Sequence, residues 1–349
     1  MATTPTALPT RRLGKTDLAV SIIGFGGIPI MGVSEEDAIA AVRHAQDVGI
    51  SFFDTARSYR TSEERMGAAL EGRRCVVATK SDARDAAGIR EAVDISLRNL
   101  RRDTIDLYQL HGVNSEEELG TVLASDGALE GLRHARTEGK IGHIGITGHR
   151  PSVLIEALEQ RDEFETVQVP FNVVESNILE DLVPLCVERD IGLIAMKPVG
   201  GGNFSNAPLA IKWCLNQPNT VPIPGMSRIQ EVEQNAAVAR GGLALTAAER
   251  AECERMKSEL DHRTCRRCRY CEPCPNGVRI GALLMGRSII QRVGPQRFRQ
   301  WGAREIIASA QQCTECGECI AKCPYDLPIP ELIREAVAYY ETISDLAED

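Results

Sequence analysis

The sequence predicts an α/β protein in which a barrel of alternating strands and helices precedes a smaller, cysteine-rich domain. Two observations lead to this prediction. Apolar, β-branched runs recur through the first 260 residues with amphipathic stretches between them, and eight of the twelve cysteines crowd into residues 265–323. We therefore expect a barrel domain over residues 1–260 and a second domain over residues 261–349.

Eight strands are predicted, at residues 21–27, 50–56, 75–80, 105–112, 141–147, 166–172, 191–198 and 220–226. The helical stretch after the first strand begins at Ser34, a suitable N-cap, and ends at Gly49. Eight such units fit a (β/α)8 TIM barrel. A doubly wound sheet is the alternative, but it would normally show Gly-x-Gly-x-x-Gly after its first strand, and this chain has GFGGIPIMG there.

The N-terminus and the overall charge bear on location and partners. Arg11-Arg12 could belong to a twin-arginine export signal, but no apolar stretch follows directly. Gly14 to Asp17 instead predict the turn of a β-hairpin, and we expect a cytoplasmic protein. A net charge of −9 disfavours generic nucleic-acid binding. The sequence has no run of ~18 uncharged apolar residues, the length that spans a membrane.

The cysteine spacing predicts iron–sulfur clusters. One run is Cys313-x2-Cys316-x2-Cys319-x3-Cys323-Pro324, the spacing of bacterial ferredoxins. The other, one residue shorter before its last cysteine, is Cys265-x2-Cys268-x2-Cys271-x2-Cys274-Pro275. Structural zinc is the alternative, but zinc pairs are normally separated by a longer loop. Two 4Fe–4S clusters are therefore expected.

In two-cluster ferredoxins the fourth cysteine of each run binds the other cluster. Transferred to this chain, that rule assigns one cluster to Cys265, Cys268, Cys271 and Cys323, and the second to Cys313, Cys316, Cys319 and Cys274. Residues 276–312, between the runs, include two stretches that look helical. The second domain is thus predicted to be mainly α-helical and ferredoxin-like.

Charge is unevenly distributed in this domain. Residues 263–304 contain ten arginines and one acid, Glu272, whereas residues 305–349 contain two basic and ten acidic side chains. The arginines could form a solvated helix face or compensate the anionic clusters. They could also be a docking surface for an acidic redox protein.

Polar residues follow the ends of three predicted barrel strands, where catalytic residues of such barrels lie. They are Asp54 after the second strand, Lys80 after the third and His111 after the fourth, and Tyr59 lies in the same loop as Asp54. Each has a structural explanation of its own, but four such residues at one end of a barrel predict an active site.

The segments FFDTARSY, VVATK and DLYQLHG resemble the signature segments of the aldo-keto reductases, and RRLGKTDLAVSIIGFGG is similar to their N-terminal hairpin and first strand. With the ferredoxin-like tail, the chain resembles one subgroup of that family over nearly its whole length. The resemblance implies a catalytic tetrad of Asp54, Tyr59, Lys80 and His111. Tyr59 would protonate the carbonyl oxygen, Lys80 would lower the tyrosine's pKa, Asp54 would hold Lys80, and His111 would orient the substrate.

The resemblance also implies a nicotinamide cofactor. The matching positions are Thr147 and Gln168 for the carboxamide, Met196 beside the nicotinamide, Lys197 after it, and, for the adenosine phosphate, Gly225, Ser227, Arg228, Gln234 and Asn235. Arg228 favours NADP because a guanidinium can pair with the 2′-phosphate. Glu231 would repel that phosphate, and NAD remains the alternative.

The expected function is reduction of an aldehyde or ketone, or oxidation of the alcohol, with NAD(P)(H). Hydride transfer needs no iron, and three hypotheses remain for the combination of a reductase barrel with iron–sulfur clusters. In the first, the clusters of a carbonyl reductase exchange electrons with a partner or dock it. In the second, the protein is an electron-transfer protein on a repurposed barrel, and in the third, the clusters of the reductase are purely structural. The sequence does not identify the small-molecule carbonyl substrate.

Overall fold

A computed structural model describes residues 8–202, 204–267, 269–343 and 346. By contacts, the described residues divide into two compact units. The first extends to Val199 and from Asn206 to Glu249, and the second comprises Gly200–Ser205 and the residues from Arg250 onward. The domain boundary expected after residue 260 stays a prediction. Across the described residues, no helix combines the length and apolar character needed to cross a bilayer.

The first unit begins with a hairpin and continues as a parallel barrel. The hairpin strands are β1 (Thr10–Arg12) and β2 (Ala19–Ser21). The barrel strands are β3 (Phe25–Gly26), β4 (Phe52–Asp54), β5 (Val76–Ser81), β6 (Ile105–Leu110), β7 (Ile141–Thr147), β8 (Thr166–Pro170), β9 (Gly192–Met196) and β10 (Thr220–Ile223). They pair in sequence order, and a bridge between Gly26 and Gly225 joins the last strand to the first. The predicted (β/α)8 barrel is confirmed.

Helices follow the strands around this barrel. They are α1 (Glu35–Asp47), α2 (Ser62–Leu70), α3 (Ala86–Leu100), α4 (Glu116–Leu123), α5 (Ala128–Thr137), α6 (Pro151–Gln160), α7 (Leu182–Glu188), α8 (Ala207–Leu215) and α9 (Ile229–Arg240). Helix α1 begins where the sequence predicts, because the Ser34 side chain accepts a hydrogen bond from the backbone of Asp37. After its end, Gly49 adopts a positive φ of 102°.

The first barrel strand is shorter than the predicted residues 21–27. Ser21 pairs with Thr10 in the hairpin, so only Phe25 and Gly26 remain to pair with β4. The backbone N–H groups of Gly24 and Gly26 donate to the carbonyls of Pro222 and Pro224, which ties this short strand to the end of the chain's last strand.

The barrel interior has an apolar layer below a polar one. Buried side chains that include Phe52, Ala78, Leu107, Ile194 and Val221 form one cluster with Leu13 of the hairpin. Since side chains alternate between the two faces of a strand, the residues two positions further along these strands also face the interior. Three of those residues, Asp54, Lys80 and Gln109, are polar and collect at the carboxyl end of the barrel, whereas Met196 and Ile223 continue the apolar cluster on the other side.

The second unit is helical, as predicted. Its helices are α11 (Ile280–Val293), α12 (Pro295–Gln300), α13 (Ala303–Ser309), α14 (Glu318–Ala321) and α15 (Ile329–Glu341), and α10 (Ala247–Leu260) contains the boundary between the units. The second helical stretch is broken at Gly302, whose φ is 83°. Helices α11 and α15 pack closely at Gly286, where a Cβ would lie 2.3 Å from the Tyr340 hydroxyl.

Candidate functional site

A buried ion pair lies at the carboxyl end of the barrel. Asp54 ends β4, and Lys80 lies one residue before the end of β5, the neighbouring strand. Lys80 Nζ donates to Asp54 Oδ1 at 2.7 Å and to the Thr55 carbonyl at 2.8 Å. Asp54 and Lys80 are only 2% and 1% exposed, so water screens this pair little.

The surroundings of Lys80 keep it charged. Burial alone lowers the pKa of Lys80, but the Asp54 carboxylate and Tyr59 outweigh burial and raise that pKa above its ordinary value. Burial raises the pKa of Asp54, while the Lys80 charge and hydrogen bonds from Lys80, Gln168 and Gln109 oppose that rise. We infer that Lys80 is an ammonium with Asp54 as its counter-ion.

Tyr59 lies in the loop between β4 and α2, beside this pair. Its backbone N–H donates to Ala56, and its carbonyl accepts from Ser62, which fixes a tight turn. Lys80 Nζ lies 5.1 Å from the centre of the Tyr59 ring, and the two side chains hydrogen bond. The ring also meets that of His111 edge to face, at 6.0 Å. The four residues predicted as a tetrad thus come together.

His111 is a neutral imidazole. Burial, followed by the positive charges of Lys80 and Arg84, lowers the pKa of His111 to about 3. Ser58 Oγ lies 3.4 Å from its Nδ1. If that hydroxyl is the donor, Nε2 carries the proton.

Glu63, which no sequence pattern singled out, holds the Tyr59 loop. Glu63 has no exposed area, and its carboxylate accepts hydrogen bonds from the side chains of Arg57, Thr79, Ser96 and Asn99 at 2.6–3.0 Å. The backbone of Arg57 in turn donates to the Lys80 carbonyl at 2.9 Å. This buried network connects the loop of Tyr59 to the strand of Lys80.

Gln109 was also missed. Its Nε2 lies 3.4 Å from Asp54 Oδ2 and 3.0 Å from Gln168 Oε1, and the residue has no exposed area. Its position two residues before His111, on the inward face of β6, is the signal that could have identified it.

The positions matched to a carboxamide site are neighbours. Thr147 and Gln168 are direct partners in the pairing of β7 with β8, and both are 1% exposed. Thr147 Oγ1 accepts a hydrogen bond from the backbone of Gly112 at 2.9 Å.

Met196 and Lys197 lie at the end of the next strand, β9. Lys197 has a positive φ of 56°, and Asn172 Nδ2 donates to its carbonyl at 3.1 Å. Lys197 Nζ also lies 2.9 Å from His149 Nε2.

The remaining predicted cofactor residues surround the start of α9. Gly225, Arg228 and Gln234 are exposed, and Ser227 and Asn235 are partly buried. Glu231 caps this helix: its Oε2 accepts from the backbones of Ser227 and Arg228 at 2.7 and 3.2 Å, and its Oε1 lies 3.2 Å from Arg228 Nε.

Within the second unit, five of the described cysteines line one cavity. Cys313, Cys316 and Cys319 come from the second run, and Cys271 and Cys274 come from the first. Burial, and then the charges of Cys313 and Cys274, raise the pKa of the Cys319 thiol. Soft thiolates around one cavity suit an iron–sulfur cluster.

The other predicted ligands pack against the helical core. Cys323 is buried in it, and Cys265 and Cys271 are half-buried at its edge, whereas Cys268 lies outside the described residues. Close by in sequence, the Arg266 guanidinium stacks on the Tyr325 ring at 3.9 Å. Among the described side chains, no three of His, Cys, Asp and Glu are placed as ligands of a single metal ion.

Two family models match the chain. The aldo/keto reductase family model matches residues 22–208, more than half of the chain, and a 4Fe-4S dicluster domain model matches residues 264–327. Among curated proteins, the uncharacterized oxidoreductase YqkF of Bacillus subtilis is 32% identical over 215 residues, which cover 57% of this chain and 67% of YqkF. L-galactose dehydrogenase of Arabidopsis thaliana is 32% identical over 220 residues, covering 56% of this chain and 67% of that protein.

Solved structures agree with the family match. The holo form of aldo-keto reductase AKR11C1 from Bacillus halodurans is 28% identical, with a TM-score of 0.63, and the match covers 71% of this chain and 96% of that one. An aldo-keto reductase from Klebsiella pneumoniae in complex with NADPH is 26% identical, with a TM-score of 0.63, covering 72% and 96%. The chain therefore belongs to the aldo-keto reductase family of oxidoreductases and carries a C-terminal 4Fe–4S domain.

Proposed function

We propose that the protein reduces an aldehyde or ketone to the alcohol with a reduced nicotinamide cofactor. The observation that carries this proposal is the buried Lys80–Asp54 pair beside Tyr59. In the reaction, the carbonyl carbon gains a hydride, the carbonyl oxygen gains a proton, and NAD(P)H becomes NAD(P)+. The nicotinamide, when bound, supplies the hydride.

Tyr59 is the proton donor in this proposal. A phenol with a pKa near 10 is a weak acid at neutral pH. A neighbouring ammonium favours the phenolate and makes the hydroxyl a better acid. Lys80 lies at the Tyr59 ring, and Asp54 holds Lys80 in its charged form. His111, being neutral, would donate a hydrogen bond to the carbonyl oxygen without competing as an acid.

Cofactor binding is assigned to the residues at the later strand ends. Thr147 and Gln168 would bind the carboxamide, with Met196 beside the ring and Lys197 next to it. The start of α9 would bind the adenosine end through Gly225, Ser227, Arg228, Gln234 and Asn235. The NADPH complex of the Klebsiella pneumoniae relative supports a cofactor of this class.

NADPH is the proposed form, because Arg228 offers a guanidinium for the 2′-phosphate. NADH is the second candidate, and the Glu231 carboxylate favours it. That carboxylate already accepts from the N–H groups of Ser227 and Arg228 and pairs with the Arg228 side chain. A 2′-phosphate would have to displace it.

The tail is proposed to hold two 4Fe–4S clusters with crossed ligands. The second of the two predicted sets is supported by the presence of Cys274, Cys313, Cys316 and Cys319 around one cavity, which Cys271 of the first set also lines. Cys265, Cys268, Cys271 and Cys323 would hold the other cluster. Such clusters, when bound, accept and release single electrons.

The partner proposed for these clusters is an acidic redox protein. Residues 273–304 contain six arginines and no acid. Arg287 on α11, Arg299 on α12 and Arg304 on α13 are exposed, and Trp301, two residues after Arg299, is 40% exposed. Arginine and tryptophan are enriched at binding hot spots, and an acidic surface would complement these exposed arginines.

NADPH that carries deuterium at its transferable position tests the proposed reaction. Incubated anaerobically with the protein and a panel of aldehydes and ketones, it should transfer the label to the carbinol carbon of the product. Oxidation of the cofactor with the label released to water would contradict direct hydride transfer, and so would a complete lack of cofactor consumption across the panel. Dithionite and NADPH spectra of the same sample would report the clusters: bleaching by NADPH would mean that they exchange electrons with the cofactor.

A further inference from the structure

The amide of Gln109 joins two parts of the barrel mouth that the proposed function treats separately. Its Nε2 lies 3.0 Å from Gln168 Oε1 and 3.4 Å from Asp54 Oδ2. Gln168 is the proposed carboxamide ligand, and Asp54 is the counter-ion of Lys80. One NH2 group therefore donates toward both the cofactor side and the proton-donating side of the site.

The orientation of this amide is fixed by its neighbours. Both atoms facing Nε2, Asp54 Oδ2 and Gln168 Oε1, are acceptors, so a flipped amide would place its oxygen against them. In the observed orientation, Gln109 Oε1 is buried and has no hydrogen-bond partner among the described residues. Leaving a buried acceptor unpaired is destabilising, and an apolar side chain would avoid that cost. A need for the donor explains why the amide is present.

We propose that Gln109 is a positioning residue that holds the Asp54 carboxylate and the Gln168 amide in one arrangement, so that a single side chain sets both the proton donor and the cofactor site. The inference rests on the proposed function. Because Gln168 Oε1 accepts from Gln109 through one lone pair, its second lone pair is left for a carboxamide N–H.

The hydrogen bond from Gln109 changes the pKa of Asp54 in a definite direction. The groups packed against its carboxylate are Lys80 from β5, Gln109 from β6 and Gln168 from β8, with Tyr59 and His111 beyond Lys80. The hydrogen bond from Gln109 lowers the pKa of Asp54. Without that bond, Asp54 takes up a proton at higher pH, Lys80 loses its counter-ion there, and the acidic limb of the activity profile moves upward.

Gly145 provides an independent way to displace Gln109. Gly145 pairs with Gln109 on one side and with Thr166 on the other. A Cβ at Gly145 would lie 3.0 Å from Gln109 Cγ and 2.2 Å from Thr166 Oγ1. The double variant Gly145→Ala/Thr166→Ala therefore removes the hardest clash and leaves two tight contacts, with Gln109 Cγ at 3.0 Å and with the Thr166 carbonyl at 3.2 Å, of which the side chain of Gln109 is the freer to move. Thr166→Ala alone is the matched control, since Thr166 Oγ1 is buried and has no hydrogen-bond partner among the described residues.

The test compares NADPH affinity and the pH profile of kcat/KM in Gln109→Met, the double variant and Thr166→Ala. Gln109→Met should weaken NADPH binding by roughly 3- to 10-fold, the scale of one lost hydrogen bond. It should also raise the acidic limb by about half a pH unit or more. The double variant should shift both quantities in the same directions, and Thr166→Ala should shift neither, even where it lowers stability.

The inference is overturned if Gln109→Met binds NADPH with wild-type affinity and its acidic limb does not move. If Gln109→Met does not fold, the same two results in the double variant overturn it. Tyr59→Phe separates this failure from that of the proposed function. If Tyr59→Phe retains full carbonyl reduction, the proton-donor assignment fails. If it abolishes reduction while Gln109→Met behaves as wild type, only the role of Gln109 fails.

Discussion

The barrel and the tail assemble their candidate sites in opposite ways. In the barrel, Asp54 and Lys80 lie at the ends of two neighbouring strands and are almost fully buried, and half-buried His111 directly follows the next strand, β6. In the tail, the cysteines of each run are separated by only two or three residues, so one short segment of chain supplies several of them, and Cys316 is exposed. The barrel site satisfies its own charges, whereas clustered thiolates repel one another until a metal centre binds them. The barrel site should therefore be sensitive to single buried charges, and the tail to the loss of its metal.

Removing Lys80 should produce the largest change in the barrel. Lys80→Met leaves the Asp54 carboxylate buried without a counter-ion, and breaking a buried pair in this way costs about 3–5 kcal/mol of stability. Carbonyl reduction should fall by on the order of a hundredfold or more, since Tyr59 loses its neighbouring charge. Urea unfolding and kcat/KM measure the two effects.

The double variant Lys80→Met/Asp54→Asn is the control for this prediction. It should regain most of the stability because no buried charge is left unpaired, but none of the activity. Recovery of activity along with stability would mean that Lys80 has only a structural role.

In the tail, replacing one cysteine should cause the loss of a whole cluster. Two cubanes correspond to about eight irons per chain, and Cys274→Ala should reduce this to about four, because Cys274 lines the cavity of Cys313, Cys316 and Cys319. Cys186→Ala, which removes a buried cysteine of the barrel, should leave the iron content unchanged. Stoichiometric zinc in place of iron in the wild type would contradict the ferredoxin assignment.

His111 gives a pH-dependent test of how tightly the barrel site is closed. Its pKa in the folded protein is about 3, against about 6.5 in an unfolded chain. Between these two pH values the unfolded state binds a proton at His111 and the folded state does not. The stability that depends on neutral His111 is therefore fully present above pH ~6.5 and is lost as the pH falls. Between pH 7 and pH 5 the loss from this residue should be about 1–2 kcal/mol.

Urea unfolding of His111→Asn at these two pH values measures that contribution, and its pH dependence should be flatter than that of the wild type. His134→Asn changes an exposed histidine and should behave as wild type. If the free energy of unfolding changes equally with pH in the wild type and in His111→Asn, His111 is accessible to protons in the folded protein.

The smallest expected effects concern cofactor choice at α9. Arg228→Ala should weaken NADPH binding more than NADH binding, by no more than about 1.5–3 kcal/mol, since only NADPH carries the 2′-phosphate. Glu231→Gln should have the opposite sign and favour NADPH. Fluorescence titration of both variants with NADPH and with NADH measures these affinities. Equal effects on the two nucleotides would show that the 2′-phosphate does not bind at the start of α9.

The sequence predicted most of the fold because its signals are local. β7 matches its predicted bounds, residues 141–147, and the cap at Ser34 acts as expected. The short first strand was not predicted, because the hairpin's pairing with Ser21 is a long-range choice. In the tail, a single glycine, Gly302, ends a helix that its apolar pattern would continue.

The candidate tetrad was accessible from sequence because its members lie at or shortly after the carboxyl ends of strands. Glu63 and Gln109 were not, because they act through side chains from other elements. Glu63 lies in an ordinary acidic helix start, and its burial depends on α3 packing over it. Such buried polar partners become visible only once the strands and helices are assembled.

The most direct test of the account is the activity of Tyr59→Phe. The variant removes one hydroxyl group and keeps the ring that contacts Lys80 and His111. We expect kcat/KM for a model aldehyde to fall by about 10²–10⁴-fold, the scale of a lost general acid, while NADPH binding and the iron content stay at wild-type values. Carbonyl reduction at the wild-type rate would contradict the assignment of Tyr59 as the proton donor.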